Sequence, residues 1–202
     1  MSSFDAMSNS PYKSAHHIPP RTAVVAMWLF LLSLTILFLA TMIGYVMFRV
    51  RGTLGPPLGT IQFPGLLWLS TALVLLASVT IHRALQSVRR EKQHLLRMWL
   101  WTTLALAIAF VVVQTPAMIE LLQQHTARGE RGHTFFGMIF FLILLHAAHV
   151  IGGVVSIIIV LARAVHGAYD HESHQGVRFA AMYWHFLDVV WLVMFGGMFL
   201  LG

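Results

Sequence analysis

The chain of 202 residues contains no cysteine and few charged side chains. Without cysteine it cannot form a disulfide or a thiolate-ligated metal site. Charged residues make up 10% of the sequence, whereas soluble domains carry about 25%. Hydrophobic residues make up 58%, so the chain cannot build the polar surface that water requires. This composition excludes an ordinary soluble domain and indicates a protein that has lipid as its solvent.

Basic residues outnumber acidic ones, with 13 Lys and Arg against seven Asp and Glu. The basic side chains all lie outside the long apolar runs. Cationic residues at the ends of apolar runs are typical of membrane helices, whose flanks lie among the lipid headgroups. The positive charge therefore indicates membrane flanks, and we expect no nucleic-acid partner.

Five apolar segments are each long enough to cross a bilayer, which takes about 20 helical residues. Backbone amides in lipid must bond within their own segment, and barrel strands would be about half as long and alternating. The predicted fold class is an all-α integral membrane protein, with one five-helix transmembrane domain over residues 22–202 after a flexible polar tail over residues 1–21. The predicted helices are at about 22–48, 63–82, 98–122, 135–162 and 179–201.

The distribution of basic residues predicts the orientation of the helices. With a cytoplasmic N-terminus, nine of the 13 Lys and Arg fall in cytoplasmic segments and the other four in outer loops. Five of the nine lie between the second and third predicted helices. Cytoplasmic loops of multi-pass proteins carry the excess of basic residues. We therefore predict a cytoplasmic N-terminus and a periplasmic C-terminus.

The fourth predicted helix combines two histidines with a stripe of small residues. Ala148, Gly152 and Ser156 recur every four residues on one face, which predicts close packing against another helix. His146 and His149 are three residues apart and lie on neighbouring parts of one face. An imidazole within the membrane needs a hydrogen-bond partner, so both are expected to face protein.

The fifth predicted helix contains His185 and, three residues later, Asp188 as its only formal charge. A carboxylate at this depth costs at least a few kcal/mol unless it is paired or protonated. At 1.5 Å per residue, Asp188 lies ~15 Å and His149 ~20 Å from the cytoplasmic ends of their helices. We therefore predict that Asp188 is the structural partner of His149, which would join helices four and five, or of His185, with proton transfer by Asp188 as the alternative.

Other polar and aromatic residues are assigned to the membrane boundaries. Pro116 lacks an amide hydrogen and should kink the third helix. Glu120 follows it near the outer boundary, where we expect a solvated peripheral carboxylate. The six tryptophans lie mostly near predicted helix ends and are interpreted mostly as interfacial anchors, not as residues that stack on a cofactor. Trp184 is assigned instead to the polar and packing residues inside the membrane, with His146, His149, Gly152, Ser156, His185 and Asp188.

The fifth helix carries the most specific signal in the chain. Its segment YWHFLDVVW, residues 183–191, resembles the Tyr-Trp-His-Phe-Val-Asp-Val-Val-Trp motif of haem–copper oxidase subunit III, with Leu187 as the mismatch. The segment HAAHV, residues 146–150, is similar to the His-Gly-x-His-Val element of that family, with Ala147 in place of glycine. Residues 27–33 resemble the first helix of the five-helix bacterial form of the cytochrome c oxidase and quinol oxidase subunit III family.

The resemblance implies an accessory, non-redox subunit with no catalytic, cofactor-binding or metal-binding residues of its own. Haem and copper would belong to partner subunits, with subunits I and II as protein partners and phospholipid as a bound lipid. The complex would reduce oxygen to water in the cytoplasmic membrane of a bacterium, and this subunit would support the stability and proton uptake of catalytic subunit I. Whether cytochrome c or a quinol donates the electrons stays open.

Two positions depart from the family pattern. Leu34 stands where a buried carboxylate is common in the first helix, and Arg178 stands where a glutamate is common before the helix-five histidine. Roles of those carboxylates in proton or lipid binding therefore do not transfer to this chain. Longer family members have two further N-terminal helices that enclose a lipid-filled cleft; here such a cleft would need helices from a partner subunit.

Other functions stay open at this point. A subunit III-like component of a nitric oxide reductase complex would have the same fold. A membrane b-type cytochrome would ligate haem with His185 and a helix-four histidine, although His133 and His171, in loops on opposite sides, leave a second haem without a ligand pair. A small transporter with Asp188 as its coupling carboxylate would be expected to show an inverted repeat, which we do not find.

Overall fold

The computed structural model of the protein describes residues 20–50, 65–126, 133–167, 169 and 174–201. These residues form five α-helices and no strand. The helices are α1 (Pro20–Val50), α2 (Leu66–Arg89), α3 (Gln93–Thr126), α4 (His133–Val165) and α5 (Gln175–Leu201). Each is long and apolar enough to cross a membrane. The predicted all-α, multi-pass membrane fold is therefore confirmed.

Every helix is longer than the apolar run that predicted it. For example, α2 continues to Arg89 and α3 begins at Gln93, because polar residues with good helix propensity extend the helices beyond the apolar core of the membrane. Helix α1 begins at Pro20, a favourable first residue because its missing amide hydrogen has no helical partner there. The predicted flexible tail lies outside the described residues, apart from its last two positions.

A tight turn joins α2 to α3. Glu91 has a positive φ of 58°, and the amide of Lys92 donates to the carbonyl of Ser87 at 3.1 Å. This bond satisfies one of the last carbonyls of α2 and reverses the chain. The resulting hairpin is the most extensive helix pair in the bundle. Within it, the hydroxyls of Thr80 and Thr103 lie 2.9 Å apart.

One end of the bundle, where α2 and α4 end and α3 and α5 begin, is rich in arginine. We call it the arginine end, after Arg89, Arg97, Arg163 and Arg178. There, Nε of Arg97 donates to the carbonyl of Ala164 at 3.1 Å, and Nε2 of Gln93 donates to the carbonyl of Tyr169 at 2.7 Å. Because both acceptors lie at or just beyond the end of α4, these bonds fix the start of α3 against the α4–α5 connection.

Helix α5 is the most buried of the five helices. It packs against α2, α4 and α1, and its Trp184, Leu187 and Trp191 are 1% exposed or less. Helix α1 contacts α4 and α5 less extensively, and most of its side chains are exposed. The centre of the bundle is therefore α5, and α1 lies at its margin.

Helices α4 and α5 meet closely at Gly153, which is buried. A Cβ atom at this position would lie 3.0 Å from Leu187 Cδ1 and 3.2 Å from the ring of Trp184. Gly152, which the sequence singled out for close packing, is exposed, and a Cβ there would lie 3.4 Å from the Tyr183 hydroxyl. The close approach thus occurs one residue later than expected, because helix rotation turns Gly153 and not Gly152 toward α5.

Candidate functional site

A polar cluster lies inside the membrane-spanning part of the bundle, formed by Ser78 of α2 with His185 and Asp188 of α5. Asp188 is 4% exposed. Nδ1 of His185 lies 3.8 Å from Oδ2 of Asp188 and 2.7 Å from Oγ of Ser78. The shorter distance is a hydrogen bond, whereas the longer one is an ion-pair distance beyond hydrogen-bond reach. His185 therefore bridges a buried carboxylate of α5 and a hydroxyl of α2.

The polar cluster borders a groove that opens toward the arginine end. The side chain of His185 is 40% exposed, and its ring centroid lies 6.0 Å from that of the exposed His82. His185 lines a groove of about 630 Å³ between α1, α2 and α5, together with Arg89, Arg178 and apolar residues such as Trp28. We call it the arginine groove. It combines two guanidinium groups with apolar walls.

Of the two partners predicted for Asp188, the structure brings His185 near the carboxyl and not His149. Nδ1 of His149 lies 2.7 Å from the carbonyl of Leu145 in its own helix, whereas Oδ2 of Asp188 lies 3.8 Å from Nδ1 of His185. Depth in the membrane does not determine the rotation of a residue about its helix axis. Leu187 points at α4, and the next residue is rotated by about 100°, which turns Asp188 toward the polar cluster. The cross-helix connection of this site therefore runs to α2.

His146 is one of the most buried polar residues, at 2% exposure. Its ring stacks on Trp191 with centroids 5.4 Å apart and an interplanar angle of 29°. His149 is half-buried, with its ring edge-on to Phe38 at 5.3 Å. Both histidines thus lie against protein. However, neither ring nitrogen of His146 has a hydrogen-bond partner among the described residues, contrary to the expectation from the sequence.

Trp184, assigned from the sequence to the packing residues inside the membrane, is 1% exposed. Trp191 is also fully buried, and its Nε1–H donates to Oγ1 of Thr71 at 3.0 Å. The spacing of Trp184, Leu187 and Trp191 corresponds to one face of a helix, and this signal could have identified both tryptophans as core residues. Trp68, by contrast, is exposed near the start of α2, as an interfacial anchor would be.

Ser156 and Gly152 line a second groove, of about 420 Å³, between α1, α4 and α5. Oγ of Ser156 donates to a carbonyl of its own helix at 2.7 Å. Tyr183 lines the same groove and donates through its hydroxyl to the carbonyl of His149 at 3.0 Å. Ala148, the third member of the predicted stripe, is exposed. The stripe therefore borders an open groove, and Tyr183 closes one of its sides.

Glu120 belongs to α3, which continues through Pro116 to Thr126. The side chain of Glu120 lies outside the described part of the structure, and its assignment as a solvated peripheral carboxylate stays a prediction.

The described residues include no group of three or more His, Cys, Asp or Glu that could hold a metal ion. A b-type cytochrome would ligate haem with His185 and either His146 or His149. His146 is buried against Trp191, and the other two histidines have different surroundings. His185 bonds Ser78 on α2, whereas His149 bonds within α4 and contacts Phe38 of α1. This arrangement gives no support to a haem held between these two histidines.

Comparison with known proteins assigns the family. The family model of cytochrome c oxidase subunit III matches residues 3–202. Cytochrome c oxidase subunit 3 of Synechocystis sp. is 31% identical over 182 residues, which cover 89% of this chain and 76% of the relative. The subunit 3 of Alkalihalophilus pseudofirmus is 30% identical over 176 residues, covering 87% and 84%.

A quinol-oxidase relative has a similar match. Cytochrome bo(3) ubiquinol oxidase subunit 3 of Pseudomonas aeruginosa is 26% identical over 181 residues, which cover 89% of this chain and 85% of the relative. Five membrane-spanning helices and the helix-five motif agree with these matches. The chain belongs to the cytochrome c oxidase subunit III family of the haem–copper oxidases.

Proposed function

We propose that this chain is the accessory, non-redox subunit III of a respiratory haem–copper oxidase complex in a bacterial cytoplasmic membrane. Its protein partners are catalytic subunit I and subunit II, which carry the haem and copper that reduce oxygen to water. The observation that carries this proposal is the family match over residues 3–202. In this assignment the chain supports the stability and proton uptake of subunit I and contributes no active site.

The polar cluster has a structural role in this proposal. The titratable side chains become less exposed from His82, which lies beside the polar cluster, through His185 to the buried Asp188. A chain of titratable groups could in principle carry protons inward, but the carboxylate lies 3.8 Å from the imidazole and outside hydrogen-bond reach. The hydrogen bond between His185 and Ser78 is sufficient for a structural role, because it holds α5 against α2.

The arginine groove is proposed to hold a phospholipid. Two guanidinium groups at one end suit a phosphate, which Arg binds through charge-assisted hydrogen bonds. The apolar walls from α1 and α5 suit an acyl chain. Arg178 replaces the glutamate that is common in the family, so this groove has a more positive end that favours anionic headgroups.

We also propose that the arginine end of the bundle lies on the cytoplasmic side of the membrane. It rests on the excess of basic residues, nine of 13, in the segments that this orientation places inside. An anionic cytoplasmic leaflet would then lie next to the arginine groove.

Affinity purification through a tag on this chain, from its native membrane, tests the assignment. The expected result is a complex that contains a haem-bearing many-helix subunit I and a copper-site subunit II and consumes oxygen with cytochrome c or a quinol as donor. A complex that reduces nitric oxide and not oxygen would point to the reductase alternative. Haem that stays with this chain after separation from its partners would contradict an accessory role.

A further inference from the structure

A crevice between α3 and α4 lies apart from the polar cluster and both grooves. It encloses about 200 Å³, and apolar side chains such as Phe110, Ile143 and Val150 form most of its walls. The exposed Leu144 and Ile151 stand at its edge. Both helices are within their membrane-spanning segments at this level. A ligand would therefore enter from the lipid.

Two buried polar side chains line the crevice. Gln114 is 8% exposed and His146 2%. Oε1 of Gln114 and both ring nitrogens of His146 have no hydrogen-bond partner among the described residues. Thr115 also lines the crevice, but its hydroxyl already donates to the carbonyl of Val111 at 2.8 Å. Other buried atoms, such as Trp184 Nε1, also lack partners among the described residues, but here three such atoms line one crevice. A ligand in the crevice can satisfy their hydrogen bonding.

The lining restricts the chemistry of that ligand. No Asp, Glu, Lys or Arg is among the described lining residues, so a charged headgroup would lose its hydration without gaining a counter-ion. The volume is below the roughly 300–1,000 Å³ of pockets for drug-sized molecules, so it admits a headgroup and not a whole lipid. The amide oxygen is an acceptor, and a neutral imidazole has one donor and one acceptor. The ligand must therefore be neutral, lipid-soluble and able to donate.

We propose that this crevice binds the head of a hydroxylated ring molecule of the quinol class. One hydroxyl of the ring donates to Oε1 of Gln114, and a ring oxygen pairs with the imidazole of His146. The tail leaves past Leu144 and Ile151 into the lipid. The site is one of binding only, with no electron or group transferred to the chain.

The histidine side of the crevice is held rigidly, as a binding site requires. The imidazole of His146 stacks on Trp191 at 5.4 Å, and Phe110 packs edge-on to the same indole at 5.7 Å. Trp191 is itself fixed by its hydrogen bond to Thr71. A preordered imidazole loses little conformational entropy when a ligand binds.

Photolabelling of the intact membrane complex that contains this chain tests the proposal. The probe is a short-chain quinol with a photoactivatable diazirine on its tail, kept reduced, and labelled peptides are identified by mass spectrometry. We expect label on the segments of α3 and α4 around Gln114 and His146. Unlabelled quinol should compete for this labelling, whereas the same quinol with both hydroxyls methylated should not, because it cannot donate.

Substitutions test whether labelling depends on hydrogen bonds to the crevice or only on insertion of an apolar probe. Gln114→Leu removes the acceptor at similar size and should reduce crevice labelling about tenfold, equivalent to about 1.4 kcal/mol. Thr102→Val is the matched control, because this α3 residue lies outside the lining of the crevice and its hydroxyl bonds the carbonyl of Met98 in its own helix, and it should label as the unmodified complex does. His146→Phe provides a second variant if the first does not assemble.

Three outcomes would overturn the proposal. The first is that no label appears on the α3 and α4 segments. The second is that the Gln114→Leu or His146→Phe complex is labelled as strongly as the unmodified complex. The third is that the methylated compound competes as well as the quinol does. The last outcome would show an apolar crevice that admits any lipid tail. The competition experiment needs no variant, so it tests whether the quinol hydroxyls are required for binding even if both substitutions prevent assembly.

Discussion

The imidazole of His185 and the hydroxyl of Ser78 lie 2.7 Å apart, which joins α5 to α2 inside the membrane-spanning part of the bundle. A second bond between the same helices runs from Trp191 Nε1 to Thr71 Oγ1 at 3.0 Å. The two bonds are about two turns apart on each helix, as expected for antiparallel neighbours in register. Lipid provides no hydrophobic drive for helix association, so such bonds and close packing must hold α5 in place.

Ser78→Ala and Thr71→Val should each weaken the attachment of α5 to α2 by about 1 kcal/mol, the typical net worth of one hydrogen bond. Because the two sites are well separated, the effects should add in the double variant. The measurement is the temperature at which this subunit is lost from the purified complex. Thr102→Val is the control, since that hydroxyl bonds only Met98 of its own helix. A control that loses the subunit as readily as Ser78→Ala would contradict a specific α2–α5 link.

Asp188→Asn should assemble normally and leave oxygen reduction close to the unmodified rate. The amide has the size of the carboxylate, and His185 keeps its bond to Ser78. Asp188→Leu also leaves the bond between His185 and Ser78 in place, and because the carboxyl lies 3.8 Å from the imidazole, the substitution should change retention of the subunit by less than about 1 kcal/mol. Turnover and subunit content are measured for both variants. An Asn variant that assembles but turns over slowly would show that Asp188 carries protons.

Gly153 and Gly152 form a matched pair for testing the α4–α5 contact. Gly153→Ala introduces a methyl group against Leu187 and the fully buried indole of Trp184, which has little room to move, and should destabilise the bundle by about 1–3 kcal/mol. Gly152→Ala meets the Tyr183 hydroxyl at ordinary contact distance and should be neutral or slightly stabilising in a helix. Subunit retention is measured for both. Equal behaviour of the two variants would mean that the contact is not at Gly153.

The sequence predicted the helices well but their rotation poorly, for one physical reason. Apolar runs report depth in the membrane, and all five matched helices. Lipid-facing and buried faces of these helices are both apolar, so hydropathy does not show which face is turned inward. That is why Gly152 was chosen in place of its neighbour Gly153, and why His149 was expected beside Asp188. The burial of Trp191 shows the same limit, although its spacing from Trp184 and Leu187 carries a usable signal.

A reporter fused after Gly202 should report the periplasmic side of the membrane. Nine of 13 basic residues favour a cytoplasmic arginine end, and five helices then place the C-terminus outside. The measurement uses an enzyme that is active only after export, with a second enzyme that is active only in the cytoplasm as its control. Activity of the cytoplasmic reporter would reverse the proposed orientation.

Arg178→Glu should remove a bound anionic phospholipid from the purified complex. The substitution restores the charge that is common in the family at this position and replaces attraction of the headgroup phosphate with repulsion. Arg89 alone would then face the phosphate, because these two guanidinium groups are the charged residues that line the arginine groove in the described structure. Native mass spectrometry should detect about one anionic lipid fewer per complex, with faster loss of activity during turnover.

Arg90→Glu is the matched control for Arg178→Glu. Arg90 is exposed in the α2–α3 turn, outside the lining of the groove, and its substitution changes the net charge equally. If both variants lose the lipid alike, the effect belongs to the overall charge of the membrane surface and not to the groove.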